Sequence, residues 1–452
     1  MNKEDIEKQV IAKITPTQDY RQNIKEVVEE INQILKKEVE KRKLPATVEL
    51  VGSIAKDTYL QNNMDIDFFL CFPTNFTKKN IAKYALEIGK SFLKDTEESY
   101  AEHPYLRGYF KKNLVEIVPC YKIENAKQKL SAVDRTPLHT KFVIENIKPN
   151  QKDQVRLFKQ FLKGIGCYGA EAQIEGFSGY LCEILVLKYV SFGKLLKNAS
   201  NWKYGHKLSI KKGKYPEFDT PLVFIDPVDS ERNVASALSK EKFELFIKAS
   251  KEYLKNPKMT FFFPNKIKEY SIDKIKNELE KQNELFTGVS FKKPDIIDEN
   301  LYPQVRKAAK SVWDFCKRND FIVYDVAYFI GKKEIYLIIK SDKKPLSKTF
   351  EHMGPPVKVK KNSEKFLNKW TNHPDVVKGP YEKDGRYFVE IKRQYTEINE
   401  YLKENIKNFS MGKHIDPIIN KNYRLIEKKD LLKDSLKMFW TQYLDKKMSW
   451  EI

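Results

Sequence analysis

The sequence predicts a multidomain α/β protein with a helical segment in its middle, and three observations predict it. At 452 residues the chain is long enough for about three domains, each large enough to bury a core. Helix-like and strand-like periodicities alternate over residues 1–145, helical spacing takes over across 146–256, and alternation returns across 257–452. Hydrophobic content of 41% and aromatic content of 13% exclude a disordered chain.

Ile24, Val27, Val28, Ile31, Ile34, Leu35 and Val39 recur at helical spacing, which predicts an amphipathic helix over 17–41. A strand over 47–51, a Gly52-Ser53 turn and a strand over 66–72 follow, then a helix near 79–94 and strands near Tyr100 and over 114–121. From Lys152 onward, Val155, Leu157, Phe158, Phe161 and Leu162 form one broad apolar stripe. Gly176 to Gly179 opens another helix, with Leu181, Ile184, Leu185 and Leu187 as core. Residues 198–220 are basic and turn-rich and read as a surface loop. Asp229 or Ser230 is placed to cap a helix running to about 254, with Glu231 in its first turn. The remainder predicts a short strand over 260–264, helices over 272–285 and 302–316, and a hairpin of 321–330 with 334–339 about Gly331. Helices over 363–370, 395–408 and 431–443 follow, with a strand over 387–391. No fixed-period repeat is visible, which argues against a solenoid.

Lys and Arg number 83 against 62 Asp and Glu, a net charge of +21 that is dispersed along the chain and points to a polyanionic partner. Cys71, Cys120, Cys167, Cys182 and Cys316 are odd in number and lack C-x-x-C spacing, so they read as buried thiols of a reducing compartment. The histidines show no zinc-ligand pattern. The charged start, MNKEDIEKQV, is not a signal peptide, and the most apolar long stretch, 179–193, contains Glu183 and Lys188 and is too short to span a bilayer. These features lead us to expect a soluble cytoplasmic protein with no membrane partner.

The chemistry concentrates in VGSIAKDTYLQNNMDIDFFLCFP, residues 51–73. Asp65 and Asp67 stand two apart in an apolar run and so leave one face of a strand together, where their charges repel unless a cation such as Mg²⁺ lies between them. Gly52 and Ser53 just before them offer backbone N–H groups and a hydroxyl to a phosphate. Glu116 interrupts a second apolar run, and three acids on neighbouring strands suit two metal ions, one activating a hydroxyl and one stabilising a leaving phosphate. The competing reading of a lone D-x-D is a turn or a solvated strand face.

GSIAKDT, DIDFFLCFP, YAEHPY, VEIVPCYKI, SAVDRTPLHT, the run 155–183 and DPVDSERNVA resemble, in the same order, the class I archaeal-type CCA-adding tRNA nucleotidyltransferases of the DNA polymerase beta-like superfamily. The likeness spans about the first 240 residues and continues more weakly through HMGPPV and GPYEKDGRYFVE. It implies a nucleotidyltransferase head over 1–145, a helical neck over 146–256 that closes the nucleotide pocket, and a tRNA-binding α/β body and tail over 257–452, whose mutual boundary the pattern does not place. It also implies template-independent addition of C, C and A to tRNA from CTP and ATP with Mg²⁺. By the same resemblance Asp65 and Asp67 bind metal and Glu116, where many relatives have Asp, helps deprotonate the 3′-hydroxyl. Ser53, Lys56, Lys159 and Tyr168 match triphosphate contacts, and Thr136 and His139 lie close to the sugar and phosphates. Arg232 matches the base-reading arginine; Asp229, by its spacing one helical turn before it, is placed to orient the guanidinium, against the alternative of a capping residue with a surface ion pair. Glu102 and His103 fall in a segment near the primer end.

Tyr302, Arg306, Lys307 and Lys310 share one predicted helix with basic side chains at spacing three and four, a candidate RNA face against the alternative of solvated lysines. Two other functions compete: a poly(A) polymerase-like enzyme using ATP alone, and a catalytically silent RNA-binding protein, which the presence of all three carboxylates disfavours. A homodimer is left open.

Overall fold

The strand expected at the two aspartates sits inside the first sheet of the computed structural model, which describes residues 2–61, 64–100 and 104–452, Tyr100 by its backbone. Two units divide the chain, Met1–Lys266 with Lys447–Ile452, and Ile267–Lys446. The first begins with α1 (Lys3–Ile14), α2 (Gln18–Lys41), β1 (Thr47–Val51), α3 (Gly52–Ala55), β2 (Ile66–Phe72), α4 (Lys78–Lys90), β3 (Lys94–Tyr100), β4 (Pro104–Phe110) and β5 (Asn113–Tyr121). The strands form one sheet in the order β1-β2-β5-β4-β3, in which β2 and β5 run parallel and the other pairs antiparallel.

Strand β2 is apolar on both faces because both are covered. Ile66, Phe68, Leu70 and Phe72 pack with Val27, Ile31 and Leu35 of α2 and with Ile81, Ala85 and Ile88 of α4, whereas Phe69 and Cys71 join Val51, Val118 and Cys120 on the other face. Each fully buried Ile, Leu or Phe contributes roughly 1.5–3 kcal/mol. Strand alternation then puts Asp67 on the face of Phe69 and Cys71, and Glu116 on that of Val118 and Cys120. Helix α2 runs as expected, its start capped by the Thr17 hydroxyl, which accepts from the Tyr20 N–H.

The unit continues with α5 (Thr136–Asn146), α6 (Pro149–Gly164), α7 (Gly179–Tyr189), α8 (Phe192–Ala199), β6 (His206–Leu208), β7 (Leu222–Phe224) and α9 (Lys240–Lys255). Their shared core is aromatic, with Phe158, Phe161, Phe177, Phe192, Phe246 and Tyr253, and α1 contributes Ile6, Val10 and Ile14 to it. Three expectations are corrected. The stretch 260–264 is no strand: a 3₁₀ turn, Met259–Phe261, drives Phe261 and Phe262 into the aromatic core, Phe261 stacking on Phe161 at 5.9 Å. The helix expected from Asp229 or Ser230 starts only at Lys240, capped by Ser239. Before it the chain turns, because the Asn233 side-chain oxygen accepts from the backbone N–H groups of Phe224 and Ala235 and competes with a helical ladder. The basic loop over 198–220 also contains β6, which pairs in parallel with β7.

The second unit comprises α10 (Ile272–Lys281), β8 (Glu284–Lys292), α11 (Asp298–Arg318), β9 (Val323–Ile330), β10 (Glu334–Asp342), β11 (Thr349–Pro356), α12 (Lys360–Trp370), β12 (Val376–Lys383), β13 (Arg386–Lys392), α13 (Ile398–Asn405), α14 (Asp416–Lys421), β14 (Arg424–Leu425), α15 (Lys428–Leu431) and α16 (Lys437–Asp445). The expected hairpin is β9 and β10, within a sheet ordered β14-β8-β10-β9. Leu301, Val305, Ala308 and Val312 of α11 cover one face, and Ile275 and Trp440 cover the other. The helix expected over 272–285 stops at Lys281 because Leu285 belongs to β8. There Gly288, at φ +146°, lies so close that an added Cβ would sit 1.9 Å from the Leu337 carbonyl oxygen. The helix expected over 431–443 is interrupted between Leu431 and Lys437. A smaller sheet, β11-β13-β12, packs Val389 and Ile391 on Phe366 and Trp370 of α12. Among the described residues no helix is long and apolar enough to cross a membrane. All five cysteines are buried free thiols.

Candidate active site

Register places the acids in a row. Asp67 on β2 is level with Glu116 on β5, and Glu116 is level with Arg107 on β4. Asp65 precedes β2 with its side chain 47% exposed, whereas that of Glu116 is 19% exposed. Burial first, then the charges of Glu116 and Asp65, push the Asp67 carboxyl up to about 8. Burial and Asp65 likewise raise Glu116, against the pull of Arg107. Arg107, which sequence reasoning missed, brings Nε to 2.8 Å from Glu116 Oε1, without the alignment of a hydrogen bond, and NH2 to 3.9 Å from Asp65 Oδ2. No three ligand-type side chains among the described residues already converge as a closed metal cage. The donor set nonetheless fits a hard divalent cation: its oxygens are carboxylate, and its repulsion is only partly offset by Arg107.

Gly52 brings the acid row against α3. Its φ is +73°, and an added Cβ would lie 2.0 Å from Asp67 Oδ2, so no other residue fits without displacing that carboxylate. Gly52→Ala is therefore expected to lower turnover at least about tenfold, or ~1.4 kcal/mol in the barrier. Single-turnover kinetics on a variant with an unchanged circular dichroism spectrum check it. Ser53 follows on α3, partly exposed.

Lys56 and Lys159 meet on a carboxylate that the sequence reading treated only as an interruption of an apolar helix. Glu183 of α7, its side chain 1% exposed, accepts from Lys56 Nζ at 2.6 Å, Thr58 Oγ1 at 2.6 Å and Lys159 Nζ at 3.5 Å. Burial raises the Glu183 pKa, but Lys56 and Lys159 outweigh it and hold the group below the usual carboxylate range. Two ammonium groups against one carboxylate leave a buried excess of positive charge suited to a polyanion. The segment carrying Lys56 is held by Arg156 of α6, 2% exposed, which donates to the carbonyls of Asp57 at 2.6 Å and Tyr59 at 3.0 Å. Tyr168 lies alongside: an added Cβ on Gly179 would be 3.3 Å from its Oη and 3.9 Å from Lys159 Nζ.

A second cluster forms around Asp226, also missed from sequence. Its carboxylate accepts from His139 Nε2 at 2.8 Å, Arg232 NH1 at 2.9 Å, Tyr180 Oη at 3.1 Å and the Val228 N–H at 3.0 Å. Burial raises its pKa, but the bonds from His139, Val228 and Arg232 prevail and hold it at about 2. Burial pushes the His139 pKa below the ordinary imidazole value despite Asp226. Because an ionised carboxylate only accepts, His139 carries its proton on Nε2. Thr136 starts α5, one turn before His139. The expected partnership of Asp229 with Arg232 is not formed: Asp229 Oδ2 accepts from Lys129 Nζ at 2.9 Å and Arg135 NH1 at 2.8 Å. The reason is that 226–233 is a turn, so spacing three does not align side chains as it does on a helix.

Glu102 and His103 lie outside the described residues. In the second unit, Tyr302, Arg306, Lys307 and Lys310 do share α11, with Lys307 and Lys310 exposed opposite the buried Val305 and Ala309.

Comparison with known proteins places these features in a family context. Residues 28–139 match the nucleotidyltransferase domain, 153–263 the second domain of tRNA nucleotidyltransferase, and 282–428 the C-terminal domain of the CCA-adding enzyme. The chain is 37% identical to the CCA-adding enzyme of Methanosarcina barkeri over 428 residues, 94% of each chain. To that of Archaeoglobus fulgidus it is 34% identical over 436 residues, 96% of this chain and 97% of the other. To that of Methanocaldococcus jannaschii it is 35% identical over 444 residues, 94% of this chain and 95% of the other.

Proposed function

The chain belongs to the CCA-adding enzyme family, and from that premise we propose that it builds and repairs the 3′-terminal CCA of tRNA without a template, using CTP and ATP and releasing pyrophosphate. The observation that carries this reading is the length of the match, which runs through all three predicted parts of the chain. The head over 1–145 supplies the acids, the neck over 146–256 closes the nucleotide pocket, and the body and tail expected over 257–452 hold tRNA through Ile267–Lys446, with Lys307 and Lys310 of α11 on phosphates, whereas 257–266 and 447–452 belong to the first unit. The five free, buried thiols support a cytoplasmic setting.

Membership implies a divalent metal, which we take to be Mg²⁺, held by Asp65, Asp67 and Glu116. When bound, it neutralises charge on the reacting phosphate and acidifies the attacking hydroxyl. The chain's own groups do the rest. Glu116 stands level with Asp67 to accept the proton of the tRNA 3′-hydroxyl. Lys56 and Lys159, with Gly52, Ser53 and Tyr168, hold the triphosphate; Thr136 and His139 line the sugar, and Arg232 meets the base.

The test uses tRNA lacking CCA, Mg²⁺ and labelled nucleotides. CTP alone should add two residues, ATP alone none, and both together three; chelation by EDTA should stop all transfer and Mg²⁺ restore it. Long tails from ATP alone would assign a poly(A) polymerase instead, and tRNA binding without transfer a silent RNA-binding protein. Affinity for tRNA should also fall steeply with salt, since neutralising several phosphates releases counterions in proportion to their number. Filter binding across 50–200 mM salt reads that slope, roughly a thousandfold loss for about six contacts.

A further inference from the structure

We propose that Asp226 is the positioning residue for base selection, its buried carboxylate holding the Arg232 guanidinium in the one orientation that accepts C and A. The inference rests on the reading of Arg232 as the side chain that meets the base. Asp226 is fully buried, with 0% of its side chain exposed, whereas Arg232 is 30% exposed. The guanidinium is thus anchored through NH1 and open elsewhere. Behind the carboxylate the His139 and Tyr180 rings stack at 4.0 Å, and both donate to it, so the anchor is itself held from two sides. Val228 donates from the backbone, which ties the carboxylate to the turn that carries Arg232. Asp229, nearer in sequence, is committed to Lys129 and Arg135.

The physical consequence is selectivity. An unanchored arginine swings through many rotamers and presents its donors to any acceptor; one pinned at NH1 presents a fixed fork. C offers acceptors at O2 and N3 and A offers one at N1, whereas U and G carry an N–H at the corresponding ring nitrogen and set donor against donor. A buried mismatch of this kind is worth roughly ten- to a hundredfold per contact. Releasing the fork lets it move off the mismatched donor, so the penalty shrinks.

Single-turnover incorporation from each of the four nucleoside triphosphates tests this on the full chain with tRNA. Asp226→Asn should lower the CTP:UTP and ATP:GTP ratios by about tenfold or more. Adding Arg232→Ala to Asp226→Asn should lower them no further than Arg232→Ala alone, because Asp226 acts through Arg232. Asp229→Asn should keep the wild-type ratio. Tyr180→Phe removes one donor to Asp226 and should shift the ratio in the same direction by less; it decides the matter if circular dichroism shows Asp226→Asn unfolded. A wild-type ratio in folded Asp226→Asn, or in Tyr180→Phe where that variant decides, overturns the inference, and so does additivity in the double variant. Absence of any CTP and ATP preference in the wild-type protein overturns the functional reading instead.

Discussion

Asp67→Asn is expected to abolish incorporation of both C and A while leaving tRNA affinity within about twofold, because the acid row acts on the chemistry and the dispersed basic surface on affinity. The same variant should be more stable than the wild-type protein when metal is absent. The Asp67 carboxyl titrates at about 8 in the fold, raised by burial and by Glu116 and Asp65, against about 3.9 in an unfolded chain. Between those values the folded state binds the extra proton, so wild-type stability falls as pH rises from about 4 to about 8. Asn does not titrate; its advantage should therefore be absent below pH 4 and full above pH 8. Thermal melts in EDTA across that range read the trend, and added Mg²⁺ should stabilise the wild-type protein far more than the variant. Turnover near the wild-type rate in Asp67→Asn would remove the metal assignment. Along the same row, Glu116→Asp should keep more activity than Glu116→Gln, since only the first retains a base.

Much of this site was legible because the acids interrupt strong apolar runs: β2 came out with its observed bounds, and the face shared by Asp67 and Glu116 follows from alternation alone. Other elements carry no such signal. Strand β3, Lys94–Tyr100, is anticipated only near its last residue: it reads KDTEESY and lies at the sheet edge with Lys94–Glu98 exposed, so no buried face imposes an alternation on it. Helix α1 offers only Ile6, Val10 and Ile14 as buried apolar positions, too few to stand out before the aromatic core they join is known. The apolar run at 260–264 has the composition of a strand, and tertiary packing of Phe261 and Phe262 overrides it. Glu183 and Asp226 were missed for one reason. Each is a carboxylate with essential partners far away in sequence, Lys56 at a separation of 127 and His139 at 87, of which local spacing carries no trace; the six-residue step from Asp226 to Arg232 is not a helical or strand spacing and becomes a pair only through the turn between them. Proximity in sequence misled at Asp229 for the converse reason, since the helix that would have turned it toward Arg232 does not form there.

Glu183→Ala should be the most destabilising single change in the nucleotide pocket. It strands Lys56 and Lys159, 7% and 2% exposed, with no counter-ion, and deprives the Thr58 hydroxyl of its acceptor. Breaking one side of a buried ion cluster costs about 3–5 kcal/mol, which in a unit of this size lowers the melting temperature on the order of 10 °C. Glu183→Asp keeps the charge on a shorter arm and should recover part of that loss. Stability and function then separate in a triple variant, Lys56→Met, Lys159→Met and Glu183→Leu. Replacing the whole buried cluster by apolar side chains of similar volume removes the desolvation penalty together with the attraction, so the melting temperature should return to near the wild-type value. Nucleotide binding should be lost in this variant, because the excess positive charge that meets the triphosphate has gone with the lysines. Melting curves and the KM for CTP, measured on all three variants, check both halves. A triple variant that melts like wild type and still binds CTP would confine the cluster to a structural role, whereas one that melts like wild type and binds CTP at least about a hundredfold more weakly, ~2.7 kcal/mol, would leave the two lysines as the triphosphate's partners and Glu183 as the group that keeps them in place while the pocket is empty.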